Sequence, residues 1–253
     1  MVKPVKASPR APFRLCALLA MALAAPALAQ DNVVLKSGLT REGKIVGVAS
    51  GNVRLQVEGG GTTSFPVAEV REIRMAAPPE FEAAAAKLAT GDAKGAVLAL
   101  QKINDTFAGL PAAWAERAAA LLGDAKLAAG DKAGAAAAYD NLTKTYPNAT
   151  ALANLGRARL AVDDGKFSEA APLLAPLLAN SDKTAFPKPA DGPALSQAHY
   201  LMGRIKEASG DFPAALENYL KASALFPFDE NAAAEARKRA DTLRAEHAGL
   251  IAP

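Results

Sequence analysis

Residues 196–227, SQAHYLMGRIKEASGDFPAALENYLKASALFP, decide how the chain is built. Apolar residues recur at helical spacing on both sides of Gly210-Asp211, and Pro227 closes the stretch. The pattern predicts two helices joined by a tight glycine turn and stopped by a proline that cannot continue the second. Gly203 and the alanines 215 and 222 leave room for close helix approach, while Tyr219 is the large side chain able to fill the space between units.

The same signals recur upstream. Gly91-Asp92 precedes Ala96, Leu100 and Ile103; Gly123 precedes Gly130-Asp131, Ala135, Tyr139, Leu142 and Pro147; Gly156 precedes Gly165-Lys166-Phe167, Ala170, Leu174 and Leu177. The turn glycines 91, 130, 165 and 210 are spaced by 39, 35 and 45 residues. A glycine, then Ala-x3-aromatic, then Ala, then Pro resembles the tetratricopeptide repeat, whose period is ~34 residues. The resemblance covers residues 80–247 and is most specific in the second and fourth units. Asp163-Asp164 lengthen the third turn, and residues 181–194, with Pro187, Pro189 and Pro193, are expected to form a long link before the fourth unit. The family's aromatic near the start of each first helix is replaced by Ala119 and His199.

Stacked helix pairs bury together a face that none can bury alone, and about three are needed for stability. Four are expected here, followed by a charge-rich capping helix from Glu230 to His247 in which Arg237, Lys238, Arg239 and Arg244 alternate with Glu230, Glu235, Asp241 and Glu246. The interleaved signs point to a solvated end cap rather than a nucleic-acid patch.

Residues 30–76 have a different character: NVVLKSG, GKIVGVAS, NVRLQVE, TTSFP and VREIRM are short, β-branched-rich and separated by glycines. Val53, Leu55 and Val57 alternate with Arg54, Gln56 and Glu58, as period-two strands require. Five such segments predict a small bent sheet or barrel. Leu35-Lys36-Ser37-Gly38, Gly43-Lys44-Ile45 and Val53-Arg54-Leu55 resemble the first motif of Sm-like barrels, although Ala49-Ser50-Gly51-Asn52 and Val70–Met75 lack that family's RNA-binding residues. A barrel this small is marginal alone and is expected to lean on the helices or on another molecule. The fold class is therefore an α+β multidomain chain: a small Sm-like β-barrel at 30–76, then an all-α tetratricopeptide-like solenoid of about four helix pairs with a cap at 80–247.

Residues 1–29 combine Lys3, Lys6, Arg10 and Arg14 with an apolar run, Leu15 to Ala25, and the small-x-small end Ala27-Leu28-Ala29. This predicts a secretory signal peptide cleaved after Ala29, since the run is shorter than the ~18–20 residues that span a bilayer. Export to the periplasm or cell envelope, without membrane insertion afterwards, is the expectation. Cys16, the single cysteine of the 253 residues, lies in this leader, so a disulfide or thiolate metal site is not expected in the mature part.

The formal charge of +3 reflects the leader: it holds four of the 29 basic residues, leaving 25 against 26 acidic ones. That near-neutral balance argues against nucleic acid as a partner. Hydrophobic residues make up 51% but aromatics only 6%, so alanine-lined helix crossings must supply the core. There is no His-Glu-x-x-His, phosphate-binding Gly-rich loop or Gly-x-Ser-x-Gly, Gly59-Gly60-Gly61 reads as a hairpin turn, and His199 and His247 read as packing and cap residues. No catalytic residue, metal site or cofactor is expected.

The tetratricopeptide resemblance implies a right-handed superhelix whose first helices line a groove for proteins or peptides. It would place Arg117 and Asp124, Thr150 and Arg157, and Gln197, Tyr200, Arg204 and Glu207 along that groove. Arg157 and Arg204 suit a carboxylate, and Tyr200 an aromatic contact. The basic clamp by which some members hold an acidic C-terminus is absent, since Ala120, Asp124 and Ala153 occupy most of its places. The expected function is an exported, non-catalytic scaffold; the alternative makes the N-terminal module a binder of cell-wall polymer or nucleic acid, with the solenoid as a spacer.

Overall fold

The computed structural model describes residues 30–181, 192–247 and 249. The expected signal peptide, 1–29, and most of the expected link after the third unit lie outside the described residues. Five strands come first: β1 (Asp31–Leu35), β2 (Thr40–Ala49), β3 (Asn52–Gln56), β4 (Thr62–Pro66) and β5 (Val70–Arg74). Nine helices are described after them: α1 (Pro79–Ala89), α2 (Ala93–Phe107), α3 (Ala113–Ala128), α4 (Lys132–Thr145), α5 (Thr150–Asp163), α6 (Phe167–Ser181), α7 (Gly192–Ala208), α8 (Phe212–Leu220) and α9 (Glu230–Glu246).

The strands form an antiparallel sheet in the order β4-β3-β2-β1-β5. Each turn follows from its residues: Ser50 and Gly51, both at positive φ, close the two-residue β2–β3 hairpin, and Gly59-Gly60-Gly61 close the β3–β4 one. Val53 and Leu55 are buried while Arg54 and Gln56 are exposed, so the period-two reading holds.

The expected Sm-like barrel does not form. The sheet is open, with β4 and β5 as its two edges. Closure would have covered the apolar face with the sheet's own strands; helices cover it instead. Val33, Leu35, Ile45, Val53, Leu55 and Val70 belong to one continuous buried cluster with Leu110, Ala115, Leu142 and Tyr146.

A close backbone contact fixes that docking. Gly47, at φ +138° beside an irregularity in the β2–β3 register, lies so near α2 that a Cβ there would stand 2.5 Å from the Thr106 carbonyl oxygen. The Tyr146 hydroxyl accepts from the Gly109 N–H at 2.9 Å, tying the α2–α3 loop beneath the sheet to the end of α4.

The helices pair as α1-α2, α3-α4, α5-α6 and α7-α8, with α9 following, which is the expected solenoid of four hairpins and a cap. All four hairpin turns share one geometry. Gly91, Gly130, Gly165 and Gly210 sit at φ +72° to +86°, where the absence of Cβ removes the penalty. In each, the glycine N–H and the next N–H bond back to the last turn of the helix, as Gly91 does to Leu88 and Asp92 to Lys87. Asp92, Asp131 and Asp211 then cap the second helix by accepting from the N–H of Gly95, Gly134 and Ala214. In the third turn Lys166 takes that place and offers no acceptor.

Tyrosines fill the crossings. Tyr139, 1% exposed, lies against Gly123 of α3 and Gly156 of α5, and a Cβ at either glycine would collide with its ring. Tyr219 does the same against Gly203, where a Cβ would stand 2.5 Å from Tyr219 Cδ1. His199 performs the missing aromatic's job in the fourth unit, stacking parallel to Phe226 with centroids 5.2 Å apart.

Two helix boundaries differ from the sequence reading of a long link. Ser181 belongs to α6, and Gly192-Pro193-Ala194 to the first turn of α7, where a proline costs no internal hydrogen bond. The second helix of the fourth unit ends in a π-helical turn, Lys221–Leu225, closed by Phe226 N–H to the Lys221 carbonyl. In α9, Ala232, Ala233, Ala236, Ala240 and Leu243 are buried and the charged residues point outward.

Candidate functional site

The first helices form a row of their own: α1 touches α3, α3 touches α5, α5 touches α7 and α7 touches α9. The second helices instead meet the first helix of the following unit, as α2 does α3 and α4 does α5.

The groove residues expected from sequence separate into several environments. Arg117 is exposed on α3. Thr150 is exposed and spends its hydroxyl on the Pro147 carbonyl at 2.9 Å, fastening the start of α5. Arg157 turns toward α4, where Nη2 donates to Asp140 Oδ1 at 2.8 Å and to Thr143. Arg204 donates to Asp163 Oδ1 at 2.9 Å, from α7 back to the end of α5. The two arginines suited to a carboxylate are therefore each engaged with a carboxylate of the chain itself.

Asp124 and Gln197 belong to a polar row that joins successive first helices. Asp124 Oδ1 accepts both from the Tyr139 hydroxyl and from Arg159 Nη1, each at 2.7 Å. Arg159 Nη2 also donates to Gln197 Oε1, and Gln197 Nε2 donates to Asp229 Oδ2 at 2.5 Å. Asp229 in turn caps α9 by accepting from the Ala232 N–H at 2.8 Å. The Asp124 carboxylate holds the Arg159 guanidinium above its ordinary pKa despite burial, and burial chiefly, with Asp124, pushes the Tyr139 hydroxyl up.

Arg159 was not singled out from the sequence. Arg157 and Arg159 lie on different sides of α5, and which one meets a carboxylate on α3 depends on how the two helices cross.

Tyr200 is half-buried on α7, its ring 6.1 Å from that of Tyr219. Burial raises its pKa first of all, with Arg204, Glu235, Arg239 and Asp163 around it. Among the described residues no hydrogen bond is made by its hydroxyl. Glu207 accepts from the Tyr219 hydroxyl at 2.5 Å and from Arg239 Nη1 at 3.1 Å, tying α7 to α8 and α9.

One side-chain series has the look of a hydrolytic centre. Ser181 Oγ lies 3.2 Å from His199 Nε2, and His199 Nδ1 lies 3.0 Å from Asn218 Oδ1. Ser181 and His199 are 5% and 2% exposed, however, and the serine hydroxyl donates to the Leu178 carbonyl at 2.7 Å. The series joins α6, α7 and α8. Among the described residues no group of three or more His, Cys, Asp or Glu is placed to hold a metal ion, and no helix is long and apolar enough to cross a membrane.

No protein-family model matches the chain, and no curated protein matches it. Among solved structures, MamA from Desulfovibrio magneticus RS-1, from position 41 to its end, aligns with a TM-score of 0.40 and 17% identity. A MamA RS-1 "ArsTM" double mutant aligns with a TM-score of 0.37 and 20% identity. Both alignments cover 68% of this chain and 99% of the other. The tetratricopeptide-like reading of this chain rests on its own turns, glycine–tyrosine crossings and helix pairing.

Proposed function

We propose that the chain is a non-catalytic scaffold that holds a protein or peptide against the row of first helices, and that it works after export, in the periplasm or cell envelope. One observation carries the binding proposal. Around Tyr200 the α5–α7–α9 face offers a half-buried aromatic ring bordered by Arg204 and Asp163 on one side and Glu235 and Arg239 on the other. A ring that buries area at little entropic cost, rimmed by both charge signs, suits a polypeptide better than a single-charge polymer. The export proposal rests on the leader alone.

A photocrosslinking amino acid at position 200 or 117 of the full chain, expressed in its own cells, tests the binding face; position 98, where Leu98 is 70% exposed on α2, is the control. Protein adducts are expected from 200 and 117 and not from 98. Adducts at 98 alone, or at none of the three, refute the binding face. Export is tested separately by sequencing the N-terminus of the protein recovered from cells, which is expected to begin at Gln30.

A further inference from the structure

The polar row along the first helices has a second consequence, independent of what binds there. Arg159 stands at its centre. It links α5 back to Asp124 of α3, where the Tyr139 hydroxyl from α4 also ends, and forward through Gln197 of α7 to Asp229, the cap of α9. The chain of contacts thus runs across every interface from the second hairpin to the end cap. Asp124 and Arg159 keep only 23% and 24% of their side-chain surface, so water competes weakly for the pair. Parallel ties run beside it, Arg204 to Asp163 and Arg239 to Glu207.

The first hairpin is outside this system. Among the described residues no ion pair joins α1 or α2 to α3. Their contact is largely apolar, Leu100, Ile103 and Leu122 buried beside Phe81, Phe107 and Trp114 (ring centroids 6.4 and 5.2 Å from that of Trp114), with Asn104 Nδ2 donating to the Ala118 carbonyl at 3.2 Å.

We propose that Asp124, Arg159, Gln197 and Asp229 form a mechanical coupling that makes the second to fourth hairpins and the cap open and close as one cooperative unit, a coupling the sheet and first hairpin do not share. In a stacked-repeat protein each unit otherwise feels only its neighbours, so local opening decays along the stack. A hydrogen-bonded relay through consecutive helices resists that decay, since losing one member leaves its partners unsatisfied in a half-buried row.

Hydrogen exchange of the full chain, followed by mass spectrometry, reads this directly. Arg159→Met keeps the apolar stem and removes the relay's centre. It is expected to speed amide exchange about tenfold in α7, one interface away, and in α9, two interfaces away, and to leave β1–β5, α1 and α2 within about twofold. Arg157→Met, whose hydrogen bonds go only to α4 and its own helix, is the control and should act on α4 and α5 alone. Gln197→Ala removes an uncharged link and is expected to reproduce the Arg159→Met pattern at smaller amplitude; it decides the matter should Arg159→Met fail to fold. Acceleration confined to α5 and its neighbours, acceleration equal in every helix, or no change would each overturn the coupling.

Discussion

Around the sheet and first hairpin, cohesion comes from apolar side chains and close backbone contact: the buried strand residues, Leu110, three aromatic rings and Gly47 against Thr106. From α3 onward apolar clusters such as Leu155, Val162, Leu174, Leu201 and Ile205 are joined by tyrosines seated on glycines and by polar ties between first helices. The difference teaches how an alanine-rich chain stabilises a stack. Where strands and aromatics are available, area does the work. Along the first helices, where alanine and glycine line much of the contact, each methyl removes little surface from water, and fit and hydrogen bonding add to the apolar clusters.

The sharpest way to break this contrast is at a tyrosine seat. Gly156→Leu places a branched side chain where the Tyr139 ring lies between two helices, and should cost about 3 kcal/mol or more in urea unfolding. Gly203→Leu, where a Cβ would stand 2.5 Å from the Tyr219 ring against 2.2 Å from the Tyr139 ring at Gly156, should cost about 2 kcal/mol. If the two change stability no more than Arg204→Ala does, the seats do not hold the stack.

At the other end, Gly47→Val would force β2 away from α2 and impose a positive φ on a β-branched residue, for about 2 kcal/mol or more. Limited proteolysis should then cut within residues 75–78 first, releasing the sheet. A variant that loses stability without that cut would mean the sheet and helices unfold together.

Alkaline titration compares the regions through their tyrosines. Burial raises the pKa of Tyr139 and Tyr219 above the ordinary value of about 10, with Asp124 and Glu207 adding to the effect. A group whose folded pKa is raised contributes stability present below its unfolded pKa and lost as pH rises through the folded one. Melting temperature should therefore fall above pH ~10, and Tyr139→Phe with Tyr219→Phe should flatten that fall. An unchanged slope in the double variant would assign the loss to other groups.

The smallest effect belongs to Arg204→Ala. Its ion pair with Asp163 is partly exposed, so the melting temperature should move little, consistent with a contribution below about 1 kcal/mol. Crosslinking at position 200 should nevertheless weaken. A large loss of stability would place Arg204 in the stack's framework rather than on its binding face.

The helical part was legible because its signals are local. Gly-Asp turns, Tyr139, Tyr219 and the prolines after the second helices each dictate a conformation within a few residues, and the four hairpins follow. The five strands were legible for the same reason. What the alternation of Val53 and Leu55 does not encode is whether β4 and β5 meet, because closure depends on what else covers the apolar face, here the α2–α3 corner. The polar row was hidden likewise: Asp124 and Gln197 were placed on the first helices, but their common partner Arg159 emerges only once helix crossings are known. Pro193 misled in the opposite direction, since a proline ends a helix in most positions yet sits comfortably in a first turn.

Leaving the sheet open carries an obligation of its own. Each rim strand presents backbone groups that invite another chain to add on. β4 is five residues long and ends at Pro66, which has no N–H to offer, while β5 alternates Arg71, Glu72 and Arg74 along its length. Such short, charge-studded or proline-ended borders discourage strand-by-strand growth along the half-wrapped sheet.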